Sequence, residues 1–129
     1  MKSIKITSLL AVGLIAMSVV VFSLARGHSN GAEICPKIGT THVVTIQNGH
    51  ASPENTYGKP CDKLEIINGD KVDREMAFGP HEHHQAYDGV VERLLQPGQS
   101  LTVTMVQAGL FHFHDHIHDD SEGYFTVSR

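Results

Sequence analysis

Tryptophan is missing, Phe and Tyr together make up only 6% of the chain, and Asp, Glu, Lys and Arg reach only 19%. A core must therefore be built mainly from Val, Ile, Leu and Phe. Positive charge is scarce too: ten Lys and Arg stand against fourteen Asp and Glu, a formal net charge of −4. The basic footprint that tracks a phosphate backbone is lacking, which sets nucleic acid aside as a partner. Beyond residue 26 no stretch carries a convincing 3.6-residue period except 90–95, and neither internal repeats nor low-complexity tracts occur. That pattern points away from helical and repeat architectures. At 129 residues the chain is one domain's worth.

Only two cysteines are present, Cys35 and Cys61. Neither has a second Cys or a His within a chelating turn, which argues against a thiol metal ligand. An even count in an exported chain reads instead as a disulfide. Closing a loop of this length would contribute roughly 3 kcal/mol in the chain-entropy model.

Export is legible at the N-terminus. Lys2 and Lys5 precede an uncharged, mostly apolar run over residues 8–25. A positive n-region before an apolar segment is the layout of a signal peptide. The run also falls inside the range of about 17–25 residues that spans a bilayer. Ser23, Leu24 and Ala25 offer small residues for cleavage after Ala25, so residues 1–25 are a signal peptide or a membrane anchor, the run's length favouring the anchor. Lys2 and Lys5 against the lone Arg26 place the remainder outside the cytoplasm, whether periplasmic, cell-surface or secreted. Beyond Ala25 eight basic residues face fourteen acidic ones, a net charge of −6. Residues 26–39 begin with a small, polar, Gly-containing stretch and read as a linker in which His28 is solvated. Residues 40–129 read as the folded domain.

Within that domain, short runs with β-branched residues alternate with turn signals: 42–47, 64–67, 75–78, 90–95, 100–106, 110–114 and 124–128. Residues 90–95 also fit a helical turn. Leu101, Val103 and Met105 alternate with Thr102 and Thr104, the period of a half-buried strand. Seven such strands in one small domain predict an all-β Greek-key sandwich.

What the chain has in excess is histidine: ten residues, seven of them in two short windows. One window holds His81, His83 and His84, the other His112, His114, His116 and His118. On a strand the second set would share one face, with Phe111 and Phe113 on the opposite face. Imidazoles at i and i+2 lie about 6.5–7 Å apart at Cα, close enough to share an ion. Imidazole suits Cu, Zn, Ni and Fe, and the nearby carboxylates of Glu82, Asp115, Asp119 and Asp120 can ligate or orient the rings. A solvated polar face is the alternative reading for any single histidine; seven in two windows point to a metal. His42 and His50, apart from the windows, read as surface residues.

The segment from Gly109 through Phe111, Phe113 and His118, followed by Gly123 to Val127, resembles the last two strands of cupredoxins. Residues 64–70 and 96–103 resemble two more of their segments, so the similarity runs from about residue 41 to 128. It is closest to small exported bacterial cupredoxin-like domains with a His-Asp-His motif, here His114, Asp115 and His116, and a Pro-His-x-x-His segment, here Pro80 to His84. The resemblance implies a β-sandwich that binds copper and shuttles electrons or handles the ion outside the cytoplasm.

A blue-copper site needs a Cys thiolate beside two His. In register with the family pattern, Asp115 occupies the Cys position and Arg74 the first His position. His118 matches the downstream His, and the nearby axial Met is missing. The expected site is thus made of nitrogen and oxygen, favouring Cu(II) with Zn(II) as competitor. Arg74 and Asp115 are expected to pair as a salt bridge. The expected ligands are His81, His84, His114 and His116, with His118 next and His83 last.

If the strand from Arg74 runs straight, His81 would lie roughly 23 Å along it at about 3.3 Å per residue. The two windows then meet only if the chain turns at Gly79 and Pro80; otherwise there are two sites. Holding, buffering or delivering copper, with slow redox use, is the leading function. A mononuclear copper or zinc oxidoreductase and a structural sandwich with pH-responsive histidines are the alternatives. No particular protein partner is indicated.

Overall fold

The computed structural model describes residues 35–129. The expected signal or anchor segment lies outside the described residues. Among the described residues, no helix is long and apolar enough to cross a membrane.

Among the described residues, nine strands form two packed sheets. The first has the order β2-β1-β4-β7, from His50–Ser52, Thr41–Gln47, Lys63–Asn68 and Ser100–Thr104. The second has the order β3-β9-β8-β5-β6, from Asn55–Gly58, Glu122–Val127, Gly109–Asp115, Arg74–Phe78 and Glu92–Leu95. β1 pairs parallel with β4 and β3 with β9; the remaining ladders are antiparallel. The core between the sheets is made as composition demanded. Val44, Ile46, Leu64, Ile66 and Val103 face Met76, Phe78, Phe113, Phe125 and Val127, all buried.

All seven expected strands are present, and β2 and β3 are two more. Both are short and polar, with Pro53 between them, so neither carries a hydrophobic alternation. The signal that would have found β2 is Asn48 followed by Gly49. Both have positive φ, 53° and 77°, the backbone that a tight hairpin turn requires. The Asp70 carboxylate accepts both of their N–H groups, at 2.6 and 3.1 Å.

Residues 90–95 do not form a helical turn: Glu92–Leu95 is an edge strand on β5. The strand at 100–106 stops at Thr104, because the Met105 backbone turns to exchange hydrogen bonds with Asp62 and Cys61. Cys35 and Cys61 form the disulfide, with 5.4 Å between their Cα atoms. It ties Cys35, inside the expected linker, to the loop before β4. In that loop Asp62 accepts from the N–H groups of Thr40 and Lys59 and meets His42 Nε2 at 2.9 Å. His42 therefore anchors the start of the sandwich, whereas His50 is exposed.

Candidate metal centre

Alternation along β8 decides which side chains can meet. Phe113 and Asp115 point into the sandwich, fully buried, and Phe111 packs against the core. The opposite, outer face carries His112 and His114, and His116 follows just beyond the strand end. The register continues this face across the sheet: Ala77 of β5 lies opposite Glu92 on one side and His114 on the other.

The histidines of the first window reach this face because the chain reverses after β5. Gly79 has φ +87°, and a Cβ there would meet the His83 carbonyl and the Gln85 nitrogen at 3.0 Å, so glycine is required. Its N–H donates to the His112 carbonyl at 2.9 Å, and the Gln85 N–H returns to the Phe78 carbonyl at 2.8 Å. The loop thus closes on itself over β8 instead of running on along the strand direction. The turn expected at Gly79 and Pro80 is what brings the windows together.

Four imidazoles converge as a result. His81 lies 5.1 Å from His114 and 4.9 Å from His116, centroid to centroid. His84 lies 5.1 and 4.6 Å from the same two rings. His116 Nδ1 and His84 Nε2 are 3.0 Å apart. That is a hydrogen bond, and it is also roughly the separation of two nitrogens about 2.0–2.1 Å from one ion, bonded near a right angle. Ligand atoms of His81, His114 and His116 all lie within 4.8 Å of one another, as do those of His84, Glu92 and His116.

His114 is the most telling of the four. Its side chain is only 4% exposed, and neither ring nitrogen makes a hydrogen bond. Buried polar atoms without partners are rare and call for an explanation. Burial pushes its pKa below the ordinary histidine value, and repulsion from His112, His84 and His81 adds to this; the Gly79 carbonyl acts weakly the other way. A neutral ring with a free lone pair is the form that binds a metal. The residues present therefore fit an ion held by imidazoles.

The neighbouring histidines differ. Both nitrogens of His112 are engaged, by the Gly79 carbonyl at 3.1 Å and Glu122 at 3.0 Å, and its ring stacks on Tyr124 and His114. His118 does not continue the alternation: β8 ends at Asp115, whose Oδ1 accepts the Ile117 N–H at 3.0 Å and turns the chain. His118 and His83 are both exposed and belong to neither ligand group.

At the end of the sandwich, where the family pattern would put its metal, Arg74 and Asp115 pair at 2.9 Å. The same guanidinium donates to Ser121 Oγ at 3.1 Å and to Asp70 at 2.7 Å, while Asp115 Oδ1 accepts the Glu75 N–H at 3.0 Å. A filled, buried ion-pair network occupies this end of the sandwich. Of the carboxylates expected to orient the histidines, Asp115 and Asp120 face Arg74 instead. Asp119 is 3.7 Å from His81 Nδ1, beyond hydrogen-bond range. Glu92, a strand carboxylate that nothing in its own segment distinguishes, lies 3.2 Å from His84 Nδ1.

No family model matches the chain, and no curated protein sequence does either. Solved structures do. A reduced amicyanin variant aligns with a TM-score of 0.57 at 18% identity, covering 72% of this chain and 87% of that one. A Cu(I) form of another amicyanin variant gives 0.55 at 20% identity, with 68% and 82% covered. An oxidised variant gives 0.57 at 19% identity, with 75% and 88% covered. The likeness is one of fold, and it makes the two-sheet architecture that of a cupredoxin.

Proposed function

We propose that this cupredoxin-type sandwich is an extracytoplasmic copper-binding protein that holds Cu(II) on the outer face of its second sheet. His81, His84, His114 and His116 would be the ligands, and the task would be to keep or deliver the ion, with at most slow redox use. The observation that carries this is His114, a buried imidazole with no hydrogen bond, facing three further imidazoles. The all-nitrogen donor set favours Cu(II) in a tetragonal geometry. The fold likeness to amicyanin, one of whose structures is a Cu(I) form, makes copper the metal to test first. Both cysteines are consumed by the disulfide, so an intensely blue, fast electron-transfer centre is not part of this reading. A site with four imidazole ligands would favour holding over turnover, which needs an open coordination position. The disulfide supports an oxidising compartment, and the apolar N-terminal segment supplies the export signal or anchor.

Titration of the purified full chain with Cu(II), followed by electron paramagnetic resonance and visible absorption, tests this. Stoichiometric binding with nitrogen hyperfine structure is expected, unchanged in His118→Ala and lost when His81, His84, His114 and His116 are all replaced by Ala. Absence of stoichiometric binding, or an intense thiolate charge-transfer band, overturns it.

A further inference from the structure

The four converging rings are not held alike. The His114 ring nitrogens make no hydrogen bond, the Nδ1 of His116 meets the His84 imidazole at 3.0 Å, and the Nδ1 of His81 is 3.7 Å from an exposed Asp119. Only His84 has a carboxylate close enough to fix it, with Glu92 Oε2 3.2 Å from Nδ1. We propose that Glu92 is a positioning residue that makes His84 the anchored member of the ligand set; this rests on the copper-holding reading above.

The register builds the arrangement. Glu92 on β6 and His114 on β8 flank Ala77, whose methyl group is the smallest side chain that could separate them. The His84 ring bridges that interval from the loop above, its centroid 5.1 Å from His114. A carboxylate oxygen only accepts, so Glu92 favours the hydrogen on Nδ1, the nitrogen 3.2 Å from it, and the lone pair of the neutral ring on Nε2. That nitrogen is the one turned to His116, 3.0 Å away. A Glu92 carboxylate oxygen also lies within 4.8 Å of a ring nitrogen of His116. Its 3.2 Å contact with His84 Nδ1 assigns Glu92 to act through His84; a direct ligand would keep its effect in the absence of His84. A carboxylate behind a ligating histidine fixes its tautomer and orientation and raises its basicity. By contrast His81, with its side chain 51% exposed against 14% for His84, has no such support.

The test is a double-mutant cycle on Cu(II) affinity, measured by competition titration of the full chain. Glu92→Ala is expected to weaken binding about 10–100-fold, and Glu92→Gln, which keeps an acceptor without the charge, by less. In a His84→Ala background, Glu92→Ala is expected to change affinity less than about twofold. Undiminished affinity in Glu92→Ala, or an equal loss with and without His84, overturns the role of Glu92 alone; a wild-type chain that does not bind Cu(II) overturns the copper reading with it. Ring-nitrogen NMR of the metal-free chain gives an independent readout. His84 is expected as the Nδ1–H tautomer in the wild type, with that preference lost in Glu92→Ala; an Nε2–H ring in the wild type overturns the proposal.

Discussion

His114 and Asp115 are neighbours on β8, both buried, and they face opposite sides of one sheet. Asp115 has every need met: Arg74 on one oxygen, the N–H groups of Glu75 and Ile117 on the other. Neither ring nitrogen of His114 makes a hydrogen bond. A buried polar group that is fully partnered belongs to the fold, whereas one left without partners calls for an explanation, and a bound ion is one. The inner end of the sandwich is structural. The metal site we propose lies on the outer face of the same sheet.

The largest expected effect is on the structural side of that contrast. Asp115→Ala leaves the Arg74 guanidinium buried with one partner fewer and is expected to destabilise the chain by about 3–5 kcal/mol in urea unfolding. The double replacement Arg74→Met with Asp115→Leu should recover only the part due to the unpaired guanidinium, because the Glu75 and Ile117 N–H groups still lack their acceptor. An unchanged urea midpoint in Asp115→Ala would remove the distinction between the two residues.

The opposite outcome is expected one residue earlier. His114→Ala removes a ring that makes no hydrogen bond, so it should lower Cu(II) affinity at least about 100-fold, with a smaller stability loss than Asp115→Ala. Affinity and urea unfolding measured on the same preparation separate the two effects, and equal losses of stability would erase the contrast.

The smallest effect concerns a histidine with a structural partner. The His42 hydrogen bond, followed by that from the Lys59 N–H, holds the Asp62 carboxyl below its ordinary value of 3.8. Because the folded value is depressed, the stabilisation is complete above the unfolded value and is lost as pH falls through the folded one. His42→Ala should therefore raise the acid-unfolding midpoint by about half a pH unit or less, read by circular dichroism. A midpoint that stays put would show that the pair contributes nothing.

Much of this was legible beforehand, and the misses have physical causes. Alternation at Leu101 and Val103, and at Phe111 and Phe113, is visible because one face of each strand is buried. β2 and β3 carry no such pattern, and only the Asn48–Gly49 turn marks the hairpin. The Arg74–Asp115 pair could be expected from their place in the family pattern. Glu92 could not, since nothing in its own segment distinguishes it from any other exposed strand carboxylate.

By itself the sequence determined which residues alternate along β8, offered a turn signal at Gly79 and Pro80, and left the two cysteines to pair with each other. These follow from local rules: a period of two, a Gly-Pro pair, an even count of thiols. Only the tertiary structure decided that His81 and His84 fold back onto His114 and His116, that His118 stays out, and that Glu92 stands behind His84. Those relations depend on how β5, β6 and β8 are ordered and registered in one sheet. Side chains 30 or more residues apart meet only once that order is set.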